Sequence, residues 1–433
     1  KRQPMTTVRD TYMSGEYVGA FWKAGQTGER IIRIPVGTNT VRSGKWDASV
    51  YWLGPGWNAG DIVFSNDISD DTGITYHSST ETPANMLTYD ATYAVSGYVS
   101  SASGTAVSGA GNYIYFRIGL TSTYAATGNN PARYALVLLR YGTPQKYHII
   151  YIRQGEKPDY LMYPSDDSRG SAAVQFCAYN VTASDLTNND ELVEILPNRS
   201  NAVFTDYPTQ AGALFQWSEV LTYGPLAYNP VNPITPVIWY DIPTGSFWST
   251  LKATSESCPP GYRRPNDGST ITVALNASST AIKNSEIRQS LYATPTVGDN
   301  FNDANLRWGF YADGYFDRRD HNNSFIASPG EGGSAIASNT AVSWTTKDVA
   351  YVGSLLFNPV SGSLRENASL FIPAAGNRHS EQGALVEGGE AGFLLSSSGP
   401  NGTDMWYLVG SSFGTGQLSS TRKHGMSLRC VPE

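Results

Sequence analysis

The chain has 433 residues, of which 40% are hydrophobic, 12% aromatic and only 15% charged, against about 25% charged in an average soluble domain. Its 43 glycines and 27 tyrosines accompany many Ser, Thr and Asn residues, a composition typical of short strands joined by turns. Long helices and coiled coils are excluded, and the aromatic content argues against disorder. The formal net charge of −7 argues against a nucleic-acid partner.

The first part of the chain carries strand signals separated by turns. Tyr134–Arg140 is an apolar run, the turn Tyr141–Gln145 follows, and Lys146–Gln154 is rich in β-branched and aromatic residues, which predicts a hairpin. Further strands are predicted at Arg30–Pro35, Ser49–Trp52 and Tyr113–Leu120. Short strands with turns between them predict an immunoglobulin-like β-sandwich.

A domain boundary is predicted where the turn residues Gly155-Glu-Lys-Pro158 end the last of these strands. The charge balance changes at the same place, because residues 1–155 hold 13 basic and 10 acidic residues while the rest of the chain holds 17 basic and 27 acidic residues. We therefore expect an Ig-like domain over residues 1–157 and a second domain over residues 158–433.

The second domain has mixed secondary-structure signals. Short helices are predicted at Thr209–Trp217 and Ser285–Leu291, with Ser285 as the N-cap of the second helix. Strands are predicted at Ser369–Ile372, Met405–Val409 and Met426–Val431. Long stretches without periodicity separate these elements. The pattern predicts a loop-rich α+β domain.

Five sequence blocks of this second domain occur in an order that resembles the "major paralogous", or FISUMP-type, domain of Bacteroidetes and Fibrobacteres surface proteins. The blocks are Ser257–Asn266, Trp308–Arg319, Leu370–Arg378, Ser396–Ser398 and Gly425–Val431. In the first domain, Arg153-Gln-Gly-Glu156 is more weakly similar to the last strand of BACON-type Ig-like modules. Two positions depart from the FISUMP pattern. Phe393–Ser396 lacks the usual Tyr-Trp before the serines, and Cys177 stands where relatives are expected to have Ser.

The resemblance implies a C-type-lectin-like fold and a Bacteroidales fimbrillin-like or cell-adhesion protein. Such a protein would be exported to the cell surface, the outer membrane or a fimbria, with a lipid anchor before the chain is trimmed to Lys1. Its partners would be a glycan, a host or bacterial surface protein, or other fimbrial subunits. No apolar run approaches the roughly 20 residues of a membrane span, so we expect no transmembrane segment.

The three cysteines form no CxxC pair or zinc-ligand set. In lectin-like folds the two ends of the domain meet, and the resemblance therefore implies a disulfide between Cys258 and Cys430, with Cys177 as a buried free thiol. The alternative is that Cys258 and Cys430 are two buried reduced thiols.

Candidate ligand-binding residues also follow from the resemblance, because lectin-like folds bind ligands on their long irregular loops. This points to Trp308–His321 and to the turn Asn377–His379. Tyr311 would supply a ring for stacking, and Arg318 and Arg378 would supply guanidinium groups for hydroxyls or an acidic sugar.

The alternative is that the arginines of Trp308–His321 have a structural role. Asp313, Asp317 and Asp320 could in principle meet at a Ca²⁺ ion, but Arg318 and Arg319 between them offer each carboxylate an internal partner. A network of this kind would hold the loop down without binding a ligand. We expect no metal and no cofactor.

Aromatic side chains of the first domain are further candidates for sugar stacking. Trp46, Trp52 and Trp57 fall within a short stretch that contains Gly54-Pro-Gly56. Trp57 follows this turn directly and is the ring least expected to be buried. The alternative is that all three rings belong to the core, since large aromatic side chains bury well.

Catalysis has little support in the sequence. The chain contains no Gly-x-Ser-x-Gly elbow, HExxH motif or P-loop. If Cys258 and Cys430 are bridged, too few cysteines remain for the chemistry of sulfatase-modifying relatives. The resemblance therefore implies a non-enzymatic, exported surface protein for adhesion or glycan recognition. The alternative is a structural or tip subunit of a fimbria that polymerises by strand exchange.

Overall fold

The architecture was analysed in a computed structural model. It describes residues 19–35, 45–65, 101–105, 113–141, 146–165, 172–185, 192–205, 208, 212–217, 223–226, 255–267, 284–292, 308–311, 353–358, 362–363, 365–380, 385–387, 391–400, 403–411 and 415–433. Strands dominate these residues, which contain a single short α-helix. The predicted class, mainly β with α+β character, is confirmed.

Eight strands of the first half form two sheets. In chain order they are β1 Gly19–Trp22, β2 Gly28–Pro35, β3 Lys45–Leu53, β4 Ile62–Ser65, β5 Ser101–Thr105, β6 Tyr113–Leu120, β7 Arg133–Tyr141 and β8 Lys146–Gln154. Within the described residues one sheet has the order β1-β8-β7-β3-β5 and the other β2-β6-β4. The pairs are antiparallel except for β1, which lies parallel to β8.

The predicted hairpin is confirmed by the pairing of β7 with β8, which runs from Arg133 opposite Gln154 to Tyr141 opposite Lys146. Alternate side chains of these strands point to the two faces of the sheet. One face meets the second sheet in a common core that includes Val137, Ile150, Phe64 and Ile118, all buried. The apolar periodicity of the strands thus produces a two-layer arrangement.

The second half consists of small sheets. Its strands are β9 Val181–Ala183, β10 Leu192–Glu194, β11 Ala202–Phe204, β12 Phe215–Gln216, β13 Tyr223–Leu226, β14 Tyr262–Arg263, β15 Trp308–Tyr311, β16 Gly353–Phe357, β17 Ser369–Pro373, β18 Asn377–Arg378, β19 Leu385–Val386, β20 Ala391–Leu395, β21 Asp404–Ser411, β22 Thr415–Thr421, β23 Gly425–Met426 and β24 Val431–Pro432. Two three-stranded sheets, β15-β16-β17 and β20-β21-β22, supply much of its core.

One helix prediction is confirmed and the other is wrong where it can be checked. Helix α1 spans Glu286–Leu291, and the Ser285 side chain caps it by accepting a hydrogen bond from the Arg288 backbone N–H. In the predicted helix Thr209–Trp217, by contrast, Phe215–Gln216 form a strand that pairs with Gly425–Met426. Tertiary pairing overrides a weak local helix preference there.

The two halves share apolar cores across the predicted boundary. Leu355 and Phe357 of the second half join the core cluster of the first-half sheets, and the Phe357 ring lies 5.3 Å from that of Tyr151. Ala132 and Tyr134 of the first half belong in turn to a core cluster of the second half. The division at residue 157 remains a prediction, but the two parts bury surface against each other.

A disulfide ties the C-terminal end of the second half to the segment that precedes β14. The structure contains a disulfide between Cys258 and Cys430, the pair that the FISUMP resemblance implies. Strand β14 follows the first cysteine and pairs antiparallel with β24, which follows the second. The Cys177 thiol is buried in the same core, and burial raises its pKa to about 12. The one helix among the described residues has six residues and is too short to span a membrane.

Peptide mapping should distinguish the three cysteines. We expect a non-reduced digest to contain a peptide linking Cys258 to Cys430. Iodoacetamide should label Cys177 only after unfolding, because the thiolate is the reactive form and a buried thiol with a raised pKa holds its proton. A linked peptide that contains Cys177 would contradict this arrangement.

Candidate functional site

The junction between the two halves is built around a buried ion pair. Asp159 lies just after the boundary turn, and its Oδ2 is 3.1 Å from Nη1 of Arg365, with both side chains at least 96% buried. The hydroxyl of Tyr134 donates to the same carboxylate oxygen at 3.0 Å, and the backbone N–H of Tyr160 donates to Oδ1 at 2.8 Å. Three distant parts of the chain, around Tyr134, Asp159 and Arg365, are thereby fixed together.

Arg153 orders the boundary turn beside this pair. Its Nε donates to the Gly155 carbonyl at 3.0 Å, and its Nη2 donates to the Lys157 carbonyl at 3.1 Å. Nη1 reaches the Ser369 carbonyl of β17 at 3.3 Å. Gly155 has φ +129°, and a Cβ at this position would lie 2.5 Å from the Pro131 carbonyl oxygen, so the turn requires glycine. These contacts hold the turn between the two halves in one conformation.

An exposed loop of the first half is held by side chains from both halves. The hydroxyl of Tyr124 donates to the Asn130 carbonyl at 2.6 Å, while the hydroxyl of Tyr163 and Nη2 of Arg365 both donate to the Asn129 carbonyl, at 3.2 and 2.8 Å. The side chains of Asn129 and Asn130 are exposed, and the tyrosines are partly exposed. We call the following five residues the junction surface: Tyr124, Asn129, Asn130, Tyr160 and Tyr163.

Two rings of the junction surface stack on each other. The centroids of Tyr160 and Tyr163 are 5.0 Å apart with an interplanar angle of 26°, and the Arg365 guanidinium lies 5.3 Å from the Tyr163 centroid. Partial burial raises the pKa of both Tyr124 and Tyr160. Their hydroxyls therefore remain neutral at physiological pH, and the surface offers uncharged rings beside exposed amide groups.

Trp57 is placed by a second arginine network. The Arg133 guanidinium lies 3.8 Å from the Trp57 ring centroid and forms an ion pair with Asp61 at 3.0 Å. The indole N–H donates to the Tyr134 carbonyl at 2.8 Å. Trp57 is partly buried and packs against the first-half core, as does Trp52, whereas the side chain of Trp46 lies outside the described residues.

Of the three ligand-binding residues that the resemblance suggests, only Arg378 has its side chain within the described residues. Arg378 lies in β18, opposite Leu385 and Gly425, and is fully buried, so its guanidinium is not presented to a ligand in solution. The backbone of Tyr311 pairs with Gly353, but its side chain lies outside the described residues, as does all of Arg318.

The proposed acidic cluster cannot be compared with the structure either, because Asp313, Asp317 and Asp320 lie outside the described residues. Among the residues that the structure describes, no three potential His, Cys, Asp or Glu ligands lie close enough to hold a metal ion.

A buried carboxyl of the second half resembles a catalytic acid only in its pKa. Burial raises the pKa of Asp267 to about 7. Ser285 Oγ donates to Oδ1 at 2.8 Å, Gln417 Nε2 donates to Oδ2, and Arg288 Nε donates to Gln417 Oε1 at 3.1 Å. All four side chains are buried. This arrangement ties α1 to β22 and leaves Asp267 inaccessible to a substrate.

The residues of the junction surface are not among those that the sequence predicts as ligand-binding. Two signals were available: Tyr160 and Tyr163 follow the boundary turn closely, and Asn129-Asn130-Pro131 is a turn sequence. Neither shows that the two segments meet, since the contact depends on Arg365, which lies far along the chain.

Comparisons with known proteins identify no family. No protein-family model and no curated protein matches the chain. Similar solved structures include the periplasmic chaperone SfaE, at 10% identity over 44% of this chain and 79% of that chain, with a TM-score of 0.19. Another is the CsuC–CsuE chaperone-tip adhesion subunit pre-assembly complex from archaic chaperone-usher Csu pili of Acinetobacter baumannii, at 8% identity over 49% and 84%, with a TM-score of 0.18. TM-scores this low establish neither a common fold nor a function.

Removing Arg365 should destabilise the protein far more than removing an exposed arginine. Arg365→Ala leaves Asp159 buried without its ion partner, which costs about 3–5 kcal/mol. Arg140→Ala breaks an ion pair with Asp47 whose side chains are 44% and 39% exposed, and should cost at most about 1 kcal/mol. Urea unfolding followed by tryptophan fluorescence measures the free energy of unfolding of both variants. Equal losses of stability would contradict the burial of the Asp159–Arg365 pair. Replacing both charges in Arg365→Met/Asp159→Asn should recover part of the loss.

The buried carboxyl of Asp267 should make the protein less stable as the pH rises. Its pKa rises from 3.8 to about 7 on folding, so the folded state binds the proton more tightly than the unfolded state. This group's stabilising contribution is complete below about pH 4, is lost as pH rises through 7, and changes little above that. The free energy of unfolding of the wild type minus that of Asp267→Asn should therefore fall between pH 4 and 7, by about 1.4 kcal/mol per pKa unit. If this difference in the free energy of unfolding rose between pH 4 and 7, it would contradict a raised pKa of Asp267 in the folded state.

Proposed function

We propose that this is an exported bacterial cell-surface protein that recognises glycans in adhesion and catalyses no reaction on them. The observation that supports this best is the junction surface, where partly exposed tyrosine rings lie beside the exposed amides of Asn129 and Asn130. An aromatic ring offers a flat apolar face with a polar hydroxyl, and an amide both donates and accepts hydrogen bonds. These groups match the apolar ring faces and the hydroxyls of sugars.

Membership of the FISUMP-type, lectin-like class, with a BACON-like or Ig-like first domain, is part of the same proposal. The five ordered sequence blocks support it, and so does the disulfide between Cys258 and Cys430, because disulfides persist in oxidising compartments outside the cytosol. A lipid anchor and a location at the outer membrane belong to this proposal through the resemblance alone. A host or bacterial surface protein is the other class of partner that it implies.

A fimbrial subunit that polymerises by strand exchange is the second candidate. The observation that favours it is the position of β1, a four-residue strand at the edge of its sheet that pairs with β8 alone among the described strands. An edge strand near the start of the described chain is the kind of element that another subunit could replace. Size-exclusion chromatography with light scattering separates the candidates: a ladder of oligomers favours the subunit, and a single monomeric species favours the adhesin.

A glycan array with the full chain tests the main proposal. We expect binding to one class of glycan and a loss of about tenfold or more in Tyr160→Ala, which corresponds to roughly 1.4 kcal/mol. Tyr51→Ala is the matched control, because Tyr51 is 65% exposed and does not belong to the junction surface. Absence of binding to any glycan would refute the glycan proposal, and equal losses in both variants would place the site elsewhere.

A further inference from the structure

We infer that the junction surface binds the ring face of a neutral saccharide and does not recognise anionic groups. The inference rests on the proposed function and specifies the ligand class of the same site. The guanidinium groups of Arg133 and Arg365 lie beside the tyrosine rings, but both are buried and paired with carboxylates. The exposed groups of the junction surface itself are uncharged.

Arg365 has little capacity left for a ligand anion. Its Nη1 contacts Asp159 and donates to the Ala132 carbonyl at 3.1 Å, while its Nη2 donates to the Asn129 carbonyl at 2.8 Å. The side chain is only 4% exposed. A sulfate or carboxylate could reach this charge only by breaking the ion pair and exposing Asp159, which would be costly. Arg365 therefore acts as a positioning residue for the loop and the Tyr163 ring.

The guanidinium group of Arg133, which lies beside the Tyr124 ring, is likewise bonded to groups of the protein. Its Nη1 donates to the Gly56 carbonyl and to Asp61, its Nε donates to Gln154 at 2.8 Å, and its Nη2 donates to Ser122 Oγ at 2.9 Å. The side chain is 3% exposed. Each of these two arginines thus has one carboxylate partner, so neither guanidinium presents an unpaired charge to the junction surface.

The exposed groups suit a neutral sugar. Tyr160 stacks on Tyr163, and Tyr163 is fixed by Arg365 and by its hydrogen bond to Asn129, so the ring pair is ordered before a ligand arrives. Preorganised rings bind with a smaller entropy cost. The neighbouring amides of Asn129 and Asn130 can bond sugar hydroxyls as donors or acceptors. The site therefore contains residues of both halves and should be lost in an isolated second half.

Lys157 provides a control for charge. It is the exposed cation of the boundary turn, two residues before Asp159, and only its backbone carbonyl takes part in the junction network. If the ligand is neutral, Lys157→Gln should leave its affinity unchanged. Tyr160→Ala should lose binding because it removes the ring, and Tyr160→Phe, which keeps the ring, should lose less affinity than Tyr160→Ala.

The experiment uses the full chain on an array that pairs neutral oligosaccharides with sialylated, sulfated and uronic-acid counterparts, followed by titration of the strongest ligand at 50 and 500 mM NaCl. We expect neutral glycans to bind at least tenfold more tightly than their anionic counterparts, with less than a twofold change in Kd between the two salts, because screening weakens only charge interactions. Preference for anionic glycans, or affinity that falls with salt or in Lys157→Gln, would overturn the inference and leave the proposed function standing. Absence of all glycan binding would overturn both the inference and the proposed function. Binding that survives Tyr160→Ala would overturn the inference, because the junction surface would not be the binding site.

Discussion

The buried pair of Asp159 and Arg365 is the interaction on which the rest of the junction depends. Burial raises the pKa of the Asp159 carboxyl, and the charges of Arg365 and Arg153 oppose that rise. A carboxylate in this position is tolerated only with its partners in place, since an unpaired buried charge is costly. The pair therefore fixes where Arg365 lies, and Arg365 in turn fixes the Asn129 carbonyl and the Tyr163 ring.

Around this pair, apolar side chains of the two halves also pack against each other. The ring contact of Tyr151 with Phe357 and the shared core clusters keep the sheets together without specifying an orientation, because the hydrophobic effect is non-directional. The hydrogen bonds of Arg153, Arg365 and Tyr134 supply that direction. The proposed recognition surface spans the predicted domain boundary and requires such a junction, since its two sides must hold one geometry.

Sequence reasoning succeeded where the signal was local. The hairpin of β7 and β8, strand β6 and the Ser285 cap follow from periodicity, turn residues and capping chemistry within a few residues. It failed where distant segments decide the structure. Phe215 joins a strand because Met426 pairs with it, and Arg378 is fully buried in a strand that pairs with the distant residue Gly425. The junction surface could not be predicted for the same reason, since no local pattern places Tyr163 beside Asn129.

Differential scanning calorimetry of the full chain tests whether the two halves are joined through one buried junction. Shared cores and buried ion pairs couple the halves energetically, so we expect one cooperative transition whose calorimetric and van't Hoff enthalpies agree. Two separate transitions, with Arg365→Ala shifting only one of them, would show that the halves unfold independently and are not coupled through this junction.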